Sequence, residues 1–589
     1  MVLRFFHPVA TPFFVSLRNT VTKQVLICPG SHSVSYFIHT IMVKKFILLS
    51  ITAFLVICSY AQLAETFFPG QESPVFRKLY LHTDREYYFA GDTLWFSPYL
   101  VLGDSHKPLA ENCNLYFGLI DSWGEVIEEK TFYLEDGICS GYLVLDNSRI
   151  TPGNYVLRAY TDHLKPLGDD AFFQKTVRID FARQSVGEST GENAGERTGE
   201  NAGENAEVKK KTEVYIDFYP EGGFLLNGKS NKIAFVAHDQ KGRPMDMEGT
   251  FVNSFGDSIP VKTVFKGTGC FEYTPRLWEK YSVEAHGYKK AHIMMPGVLR
   301  QGVELTLVKN TEDAVTFCIS RSDDLLLNDY FIAVFHRGAG LNHVKIEKEN
   351  LDRPVSISTE YLGAGINRFV LLNHQNEPVS ERLVFIGKHG PECGVQIDMD
   401  KNTFKTGEQV NMKLSIPGMD KDEWARVSIA VVEDKMTGNN GNLQDIRTYL
   451  LLDSELRGQV QTPALYFIDD SVSSAGKLDL LMLTNGWRNY MWNYVKEKDG
   501  LDINYEFINQ DPNQYQDQYQ DQVAKGPKDR QTLYWNPFLV ISGNAASVSF
   551  FTSDNLAYYK VFVEGITTSG KICTGVAQFV VNEISGQSF

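Results

Sequence analysis

The four residues that most suggest covalent chemistry are Thr406, Gly407, Glu408 and Gln409. They differ in one position from Cys-Gly-Glu-Gln, in which the glutamine can acylate the cysteine sulfur to form an internal thioester. A threonine hydroxyl in place of the thiol gives only an ordinary ester, which is far less reactive. Short motif matches also carry a high risk of false positives. We therefore expect this tetrapeptide to begin a strand and not to trap an attacker.

A second copy of this stretch occurs earlier in the chain at a constant offset. TDREYYFAGDTLWFS (83–97) aligns with MDKNTFKTGEQVNMK (399–413). Each copy has a basic residue, an aromatic residue, a glycine followed by an acidic residue, and then an alternating strand. Gly91 and Gly407 suit a turn that needs unusual backbone angles. Both stretches are therefore predicted to be the first turn and strand of a β-domain.

Other reactive residues form no catalytic pattern. His336 and Arg337 follow a predicted strand, where such a pair more often ends the strand than performs catalysis. Asp169-Asp170 and Asp469-Asp470 are adjacent acids, which in a strand face opposite sides. They are expected in solvated loops, and a calcium site would need six or more oxygens. With no HExxH, GxSxG or phosphate-binding glycine loop, we predict no enzyme, no catalytic, metal or cofactor-binding residues, and no cofactor.

Composition and charge restrict the partners. The 589 residues carry a formal net charge of −15, and 43% of them are hydrophobic. The negative charge argues against nucleic acid and anionic membrane surfaces. No run of 18 or more apolar residues follows the N-terminal region, so no transmembrane span is expected in the mature chain. A protein partner is the expectation that remains.

A secretory signal peptide is predicted at 42–61. Two lysines precede the apolar run Phe46–Cys58, which is too short to span a bilayer, and Ser59-Tyr60-Ala61 is a small-x-small cleavage site. Residues 1–41 contain no Asp or Glu, so they are either a mis-assigned start before Met42 or a transit-type pre-sequence. We favour a start at Met42 because a complete signal begins there.

The cysteines indicate neither zinc nor thioredoxin-like chemistry. Eight are present, scattered and without a CxxC motif. Six would remain after cleavage at Ala61. Cys113 and Cys139 can pair in an exported protein, or they can be free thiols used as small core residues.

Strand-like runs separated by turns predict a mainly β protein of tandem antiparallel β-sandwich domains with one inserted helical segment. The tetrapeptide repeat Gly-Glu-x-x has no large apolar residue, so it is expected to be a flexible linker. The predicted divisions are a first sandwich at 77–182, the linker at 183–211, a second sandwich at 212–300, a third at 301–390, a split fourth at 391–435 plus 532–582, and an insertion at 436–531.

Within the insertion, apolar residues at spacings of three and four predict a helix at about 474–496. The polar repeat that follows is predicted to be disordered. The helix is rich in aromatic side chains, which belong either to the core or to a docking face for a partner. The residues concerned are Trp487, Tyr490, Met491 and Trp492.

Long motifs in a fixed order carry a resemblance to a known family. KLYLHTDREYYFAGDTLWFSPYL is followed by SGYLVLDNSRITPGNYVLRAYTD, DFYPEGG, GINRFVLLNHQNEPVSERLVFI, LDLLMLTNGWRNYMW and YWNPFLV. Over nearly all of 77–582, the chain resembles bacterial alpha-macroglobulin-like exported proteins with a macroglobulin domain, related to those that carry a TonB-dependent receptor plug domain. The resemblance implies macroglobulin-type sandwiches and a place in the Gram-negative cell envelope. Only the polar stretch 497–531 stands where longer relatives carry the plug domain. The resemblance therefore does not extend to roles that require a plug domain.

The sequence supports two hypotheses about function. The first is a non-enzymatic protein, exported to the periplasm, outer membrane or cell surface, that binds an outer-membrane barrel or envelope complex as an accessory component. The second is a macroglobulin-like protease inhibitor without a thioester, with 497–531 as an exposed bait. Basic residues there suit a trypsin-like attacker, namely Lys496, Lys498, Lys525, Lys528 and Arg530.

Overall fold

Alternating patterns in the sequence become strands with one buried face. The structure is a computed structural model that describes residues 76–181, 212–337, 339–387, 392–437, 444–458, 460, 462–467, 472–485, 531–543 and 545–583. The predicted signal peptide, the linker and the bait stretch lie outside these residues. The described residues form mainly antiparallel sheets packed as sandwiches with a short helical segment, so the predicted fold class is confirmed. No helix among them is long and apolar enough to cross a membrane.

The first sandwich packs a three-stranded sheet on a five-stranded sheet. Its strands are β1 (Arg77–Thr83), β2 (Tyr87–Phe89), β3 (Thr93–Leu102), β4 (Cys113–Ile120), β5 (Val126–Leu134), β6 (Gly141–Val144), β7 (Gly153–Thr161) and β8 (Phe173–Asp180). The sheet orders are β1-β3-β6 and β2-β8-β7-β4-β5. In β7, Tyr155, Leu157 and Ala159 are buried, whereas the residues between them are only half-buried. This is the period of two expected for a strand with one face on a core.

The second sandwich is smaller and contains two parallel pairings. Its strands are β9 (Glu213–Pro220), β10 (Leu225–Leu226), β11 (Asn231–His238), β12 (Glu248–Asn253), β13 (Ser258–Lys262), β14 (Thr268–Tyr273), β15 (Tyr281–Ala285), β16 (Lys290–Met294) and β17 (Val298–Leu299). The main sheets have the orders β14-β11-β9-β16 and β13-β12-β15, and β10 pairs with β17. Phenylalanines from both main sheets fill the space between them, with Phe218 5.8 Å from Phe251 and 6.0 Å from Phe271 between ring centroids.

The third sandwich has seven strands among the described residues. They are β18 (Val303–Asn310), β19 (Ala314–Arg321), β20 (Tyr330–His336), β21 (Ala339–Ile346), β22 (Val355–Ser358), β23 (Gly365–Leu372) and β24 (Pro378–Ile386). The sheet orders are β18-β19-β22 and β21-β20-β23-β24. Every residue of β23 is buried, because a turn from the insertion covers the face that points away from the core of this sandwich.

The fourth domain is one large sheet built from both sides of the insertion. Its strands are β25 (Glu392–Gly394), β26 (Gln396–Met399), β27 (Thr403–Phe404), β28 (Gln409–Ser415), β29 (Trp424–Glu433), β30 (Thr532–Ser542), β31 (Ala545–Phe551), β32 (Tyr558–Thr567) and β33 (Ile572–Val581). The order is β25-β33-β32-β29-β30-β31-β28-β26, with β27 also paired to β33. All of β29 is buried, because it lies inside this sheet and the first sandwich packs on it. At that contact the hydroxyl of Tyr99 in β3 lies 2.7 Å from the hydroxyl of Ser428 in β29.

The described part of the insertion packs between the domains. Helix α1 (Ile446–Thr448) begins with a capping box and continues as a π-helical turn, Tyr449–Asp453. Apolar residues of that turn share a cluster with the core of the first sandwich and with Ile366 and Leu383 of the third. α2 (Val472–Thr484) covers the first part of the helix predicted at about 474–496, Asn485 is not helical, and residues 486–496 lie outside the described residues.

Candidate functional site

A serine, a histidine and a glutamate meet where the first sandwich packs on the fourth domain. The Nδ1 atom of His82 lies 2.6 Å from the hydroxyl of Ser428. The Nε2 atom of His82 lies 3.4 Å from Oε1 of Glu564. β1 supplies the histidine, and the neighbouring strands β29 and β32 supply the other two. The three residue types match a nucleophile, a base and an acid, so this cluster is the first candidate site.

The surroundings of this cluster favour a structural role. Ser428 and Glu564 are buried, and the serine hydroxyl also contacts the hydroxyl of Tyr99. Burial, with the nearby Lys175 charge, lowers the pKa of His82 well below its ordinary value. A cavity of about 170 Å³ next to the cluster is lined by His82 and Glu564, and Ser428 does not line it. The Ser428 hydroxyl contacts His82, Tyr99 and the carbonyl of Glu564, so the cluster pairs buried polar groups where two domains pack together.

The candidate pair from the sequence is likewise buried at a domain contact. The Nδ1 atom of His336 lies 3.0 Å from the carbonyl of Ile366, and burial, then Arg337, lowers its pKa to about 4. Arg337 has a left-handed φ of 48°. Its guanidinium donates to the carbonyl of Asp104 in the first sandwich at 2.9 Å and to that of Ala364 at 3.0 Å. The pair therefore links the third sandwich to the first.

The Thr-Gly-Glu-Gln stretch leads into strand β28, as the sequence predicts, but it does not begin its domain, because β25, β26 and β27 precede it, as β1 precedes the equivalent stretch in the first sandwich. Gly407 has a φ of 67° and Gly91 has a φ of 96°, so both glycines occupy the left-handed region. In each copy a cation lies over the aromatic ring three residues further on. Arg85 is 4.8 Å from the ring centroid of Tyr88, and the equivalent Lys401 is 5.0 Å from that of its phenylalanine. The two copies thus share a turn.

Three of the long sequence motifs converge on one buried ion cluster. Glu221 of DFYPEGG accepts a hydrogen bond from Nε of Arg382 of SERLVFI at 2.6 Å. The same guanidinium donates to Asp479 of LDLLML in α2 at 2.5 Å, and Lys232 also pairs with Asp479, at 2.6 Å. Glu221 and Arg382 are almost fully buried. The cluster joins the second sandwich, the third sandwich and the helix.

A cavity of about 520 Å³ opens beside this cluster. Its lining is mostly apolar and includes Met294 at the end of β16, the following Met295, and Met482 of α2. Nearby, the carboxyl of Glu304 is buried, and this burial raises its pKa to about 7. Thioether side chains adapt to many shapes, but nothing in the lining selects a ligand.

The most exposed aromatic residue in the described part of the chain is Trp278, at the tip of the second sandwich. Its side chain is 92% exposed, and its φ is 69°. A left-handed backbone is unfavourable for a bulky side chain. Phe255, 59% exposed, lies in the neighbouring loop, and the Arg276 guanidinium is 5.3 Å from its ring centroid. We call Phe255, Arg276 and Trp278 the aromatic tip.

A buried network holds the two loops of the tip together. The side-chain oxygen of Asn253 accepts from the backbone N–H groups of Phe255 at 3.0 Å and Asp257 at 2.9 Å. Its amide nitrogen donates to the hydroxyl of Tyr273 at 2.7 Å, and that hydroxyl donates to Glu279 at 2.6 Å. Burial is the main cause that raises the pKa of Tyr273 to about 12, so the hydroxyl stays protonated. These bonds fix the loops on both sides of Trp278.

Sequence reasoning missed the aromatic tip. The available signal was the tryptophan in PRLWEK, a large aromatic residue between predicted strands in a charged segment that begins with a proline. Of the acid pairs considered, Asp169 and Asp170 are exposed in a 3₁₀ turn. Asp469 and Asp470 lie outside the described residues. The bait stretch and the residues from Trp487 to Trp492 also lie outside them. Within the described ranges no group of three or more His, Cys, Asp or Glu residues is arranged to hold a metal ion.

Comparison with known proteins gives weak structural similarity. No family model matches the chain, and no curated protein matches it. It is similar to native alpha-2-macroglobulin of Escherichia coli at 10% identity and a TM-score of 0.40, over 88% of this chain and 40% of that one. The trypsin-activated form gives 10% identity and 0.32, over 87% and 42%. A tetra-tandem repeat from a large adhesion protein gives 10% and 0.19, over 86% and 100%. The chain spans about two fifths of the length of these macroglobulins.

Proposed function

We propose that this chain is an exported, non-enzymatic protein of the cell envelope that binds a protein partner through the aromatic tip of its second sandwich. Trp278 carries the proposal. Its backbone has an unfavourable left-handed φ of 69°, and its side chain is 92% exposed, so it does not pack in a hydrophobic core. Strained residues persist where the surrounding structure fixes them, and they concentrate at functional sites.

The chemistry of the tip suits a protein surface. Tryptophan and arginine are enriched among the residues that dominate binding energy, and rigid aromatic anchors lose little conformational entropy on binding. The hydrogen bonds of Asn253 hold the loops in one conformation in the absence of a partner. Arg276 also pairs with Asp257 at 3.5 Å, so the apolar rings are bordered by both charges, as in the polar rim of an interface.

The non-enzymatic part of the proposal is supported by where the reactive side chains lie. Ser428, His82 and His336 are all buried in contacts between domains. Each has a polar partner that accounts for its burial. Groups used in this way stabilise one arrangement of domains.

The proposed compartment and partner follow from the sequence. The signal peptide expected at 42–61 and the resemblance to envelope proteins favour the periplasm, the outer membrane or the cell surface. We propose an outer-membrane barrel or an envelope complex as the partner. A chain that fractionates with the cytoplasm of the cells that make it would contradict this part of the proposal.

Site-specific photo-crosslinking tests the tip. A photoreactive amino acid replaces Phe255 in one variant and Trp123 in another, in cells that make the protein. Trp123 is a matched control because it is 81% exposed in a hairpin loop of the first sandwich. We expect one envelope protein to be captured from position 255 and not from position 123.

The captured protein is then purified and its affinity is measured. Trp278→Ala is expected to weaken binding at least about tenfold, since central aromatic anchors contribute about 2 kcal/mol or more, whereas Trp123→Ala leaves it unchanged. Equal capture from both positions, or equal affinity of the two alanine variants, would refute the aromatic tip as the binding site.

A further inference from the structure

Two cysteines are direct neighbours on adjacent strands of the fourth domain. β25 and β33 run parallel, and their register places Cys393 opposite Cys573. Both side chains pack against the same apolar cluster, so they lie on the same face of the sheet. The pairing continues beyond them, since the backbone N–H of Val395 donates to the carbonyl of Thr574 at 2.9 Å.

The spacing of neighbouring strands suits a disulfide bond at this pair. Neighbouring strands lie about 4.8 Å apart, and disulfides join residues whose Cα atoms are about 4.4–6.8 Å apart. All six cysteines among the described residues are free thiols in the structure, including Cys113 and Cys139, for which the sequence left pairing open. Only Cys393 and Cys573 are paired by strand register among the described residues.

The two thiols differ in a way that favours stepwise oxidation. Cys393 is half-buried, whereas Cys573 is fully buried. A hydrogen bond with Cys573, helped by the positive charge of Lys571, lowers the pKa of Cys393 although its partial burial acts in the opposite direction. The same contact and burial raise the pKa of Cys573. The accessible thiol is therefore the better nucleophile, and the buried thiol is positioned to resolve a mixed disulfide.

We infer that Cys393 and Cys573 form a structural disulfide by exchange with a disulfide-bearing oxidant, either a small-molecule disulfide or a thiol oxidoreductase. The Cys393 thiolate attacks one oxidant sulfur, which breaks the oxidant S–S bond, releases one thiol and leaves a mixed disulfide. Cys573 then loses its proton and attacks Sγ of Cys393, which releases the second thiol. The protein loses two electrons and two protons, and the oxidant disulfide is reduced to two thiols.

The bond would close the fourth domain around the insertion. β25 is the first strand of this domain and β33 is its last, so the closed loop contains the whole of 436–531. Crosslinks that close long loops restrict the unfolded chain the most in the chain-entropy account. A disulfide here would therefore hold the N-terminal and C-terminal segments of the split domain together even if the insertion is cut.

Mapping the thiols of the full-length protein tests the inference. The protein is incubated with oxidised glutathione, free thiols are alkylated, and unreduced peptides are identified by mass spectrometry. We expect one linked pair, Cys393 with Cys573, and alkylated Cys113, Cys139, Cys270 and Cys318. Alkylation of both Cys393 and Cys573, a stable glutathione adduct on Cys393, or a link to another cysteine would overturn the inference.

Thermal unfolding gives an independent measurement. The oxidised protein is expected to lose roughly 5–15 °C in Tm on reduction. Cys393→Ser, at a half-buried position, is expected to remove this shift, and Cys393→Ala serves if the serine variant does not fold. Cys270→Ser is the matched control at an exposed cysteine of the second sandwich and should keep the shift. A shift that survives in both Cys393 variants would contradict the assignment.

Discussion

The Lys401 ammonium pairs with the Glu408 carboxylate, and this contact repeats the 2.8 Å ion pair between Arg85 and Asp92. In both copies the carboxylate also accepts from the backbone N–H three residues before it, at 2.8 Å in the first sandwich and 2.7 Å in the fourth domain. The first strand of each copy lies parallel to the last strand of its domain. A segment that resembles a thioester is therefore a repeated turn that leads into a strand, β3 in the first sandwich and β28 in the fourth domain.

The two copies differ in burial, which predicts different energies. The Arg85 side chain is 6% exposed, whereas the Lys401 side chain is 43% exposed. We expect Asp92→Ala to lower the free energy of unfolding by about 2–3 kcal/mol, because it leaves a buried cation without one of its partners. Glu408→Ala should cost clearly less, since an exposed pair is screened by water. Urea unfolding measures both, and equal losses would contradict the argument.

The junction of the second sandwich, the third sandwich and α2 depends on Arg382. Its removal leaves Glu221 buried and without its guanidinium partner, so Arg382→Ala is expected to cost about 3–5 kcal/mol. Arg149→Ala is the control, because its ion pair with Glu128 is half-exposed and should contribute less than about 1 kcal/mol. Urea unfolding followed by tryptophan fluorescence measures both. Similar losses in the two variants would show that the buried cluster does not stabilise the junction.

Glu304 predicts a pH dependence of stability. Burial raises its pKa from 4.5 to about 7, although a hydrogen bond from Asn231 acts in the opposite direction. The folded state therefore holds this proton more tightly than the unfolded state. The resulting stability is fully present below pH 4.5 and is lost as the pH rises through 7.

The measurement compares wild type with Glu304→Gln by urea unfolding at pH 5 and pH 8. Glutamine stays neutral, so the stability of the variant relative to wild type should rise by about 2–3 kcal/mol between these values. Glu349→Gln, at an exposed position, is the control and should follow wild type. A difference that does not change with pH would indicate that Glu304 is ionised throughout.

Trp278 is expected to lower the free energy of unfolding while it contributes to partner binding. Trp278→Gly removes the cost of a left-handed backbone for a bulky residue, about 1 kcal/mol, and loses little burial because the side chain is exposed. We expect the free energy of unfolding to be unchanged or to rise by up to about 1 kcal/mol. Partner binding should weaken in the same variant. A destabilisation above about 1 kcal/mol would mean that the tryptophan holds the loop, and the proposal of a strained binding residue would fail.

Local pattern was sufficient for the strands and for the repeated glycine turns of the first and fourth domains. Strand-like runs such as 154–161 predict strands, here β7, and Gly91 and Gly407 predict turns with unusual backbone angles, which both adopt. The spacing of Leu480 and Leu483 predicts α2. These features depend on residues close in sequence, whose geometry the backbone fixes directly.

Contacts between distant residues were not predictable in this way. Sequence pattern alone does not show that Glu221, Arg382 and Asp479 meet, although each lies in a motif that stands out. The same holds for His82 with Ser428 and for Cys393 with Cys573. No local rule fixes which strands become neighbours, because that depends on how whole sheets pack.

The sequence by itself determined a mainly β chain of tandem sandwiches, the repeated glycine turns of the first and fourth domains, and an interrupted fourth domain with a helix. The alternation of apolar and polar residues along a strand and the residue types in the turns are local physical constraints. Only the tertiary structure decided that the reactive side chains are buried between domains, that Trp278 is presented in a strained loop, and that Cys393 faces Cys573. Burial and strand register arise from the packing of distant segments, and no segment carries that information alone.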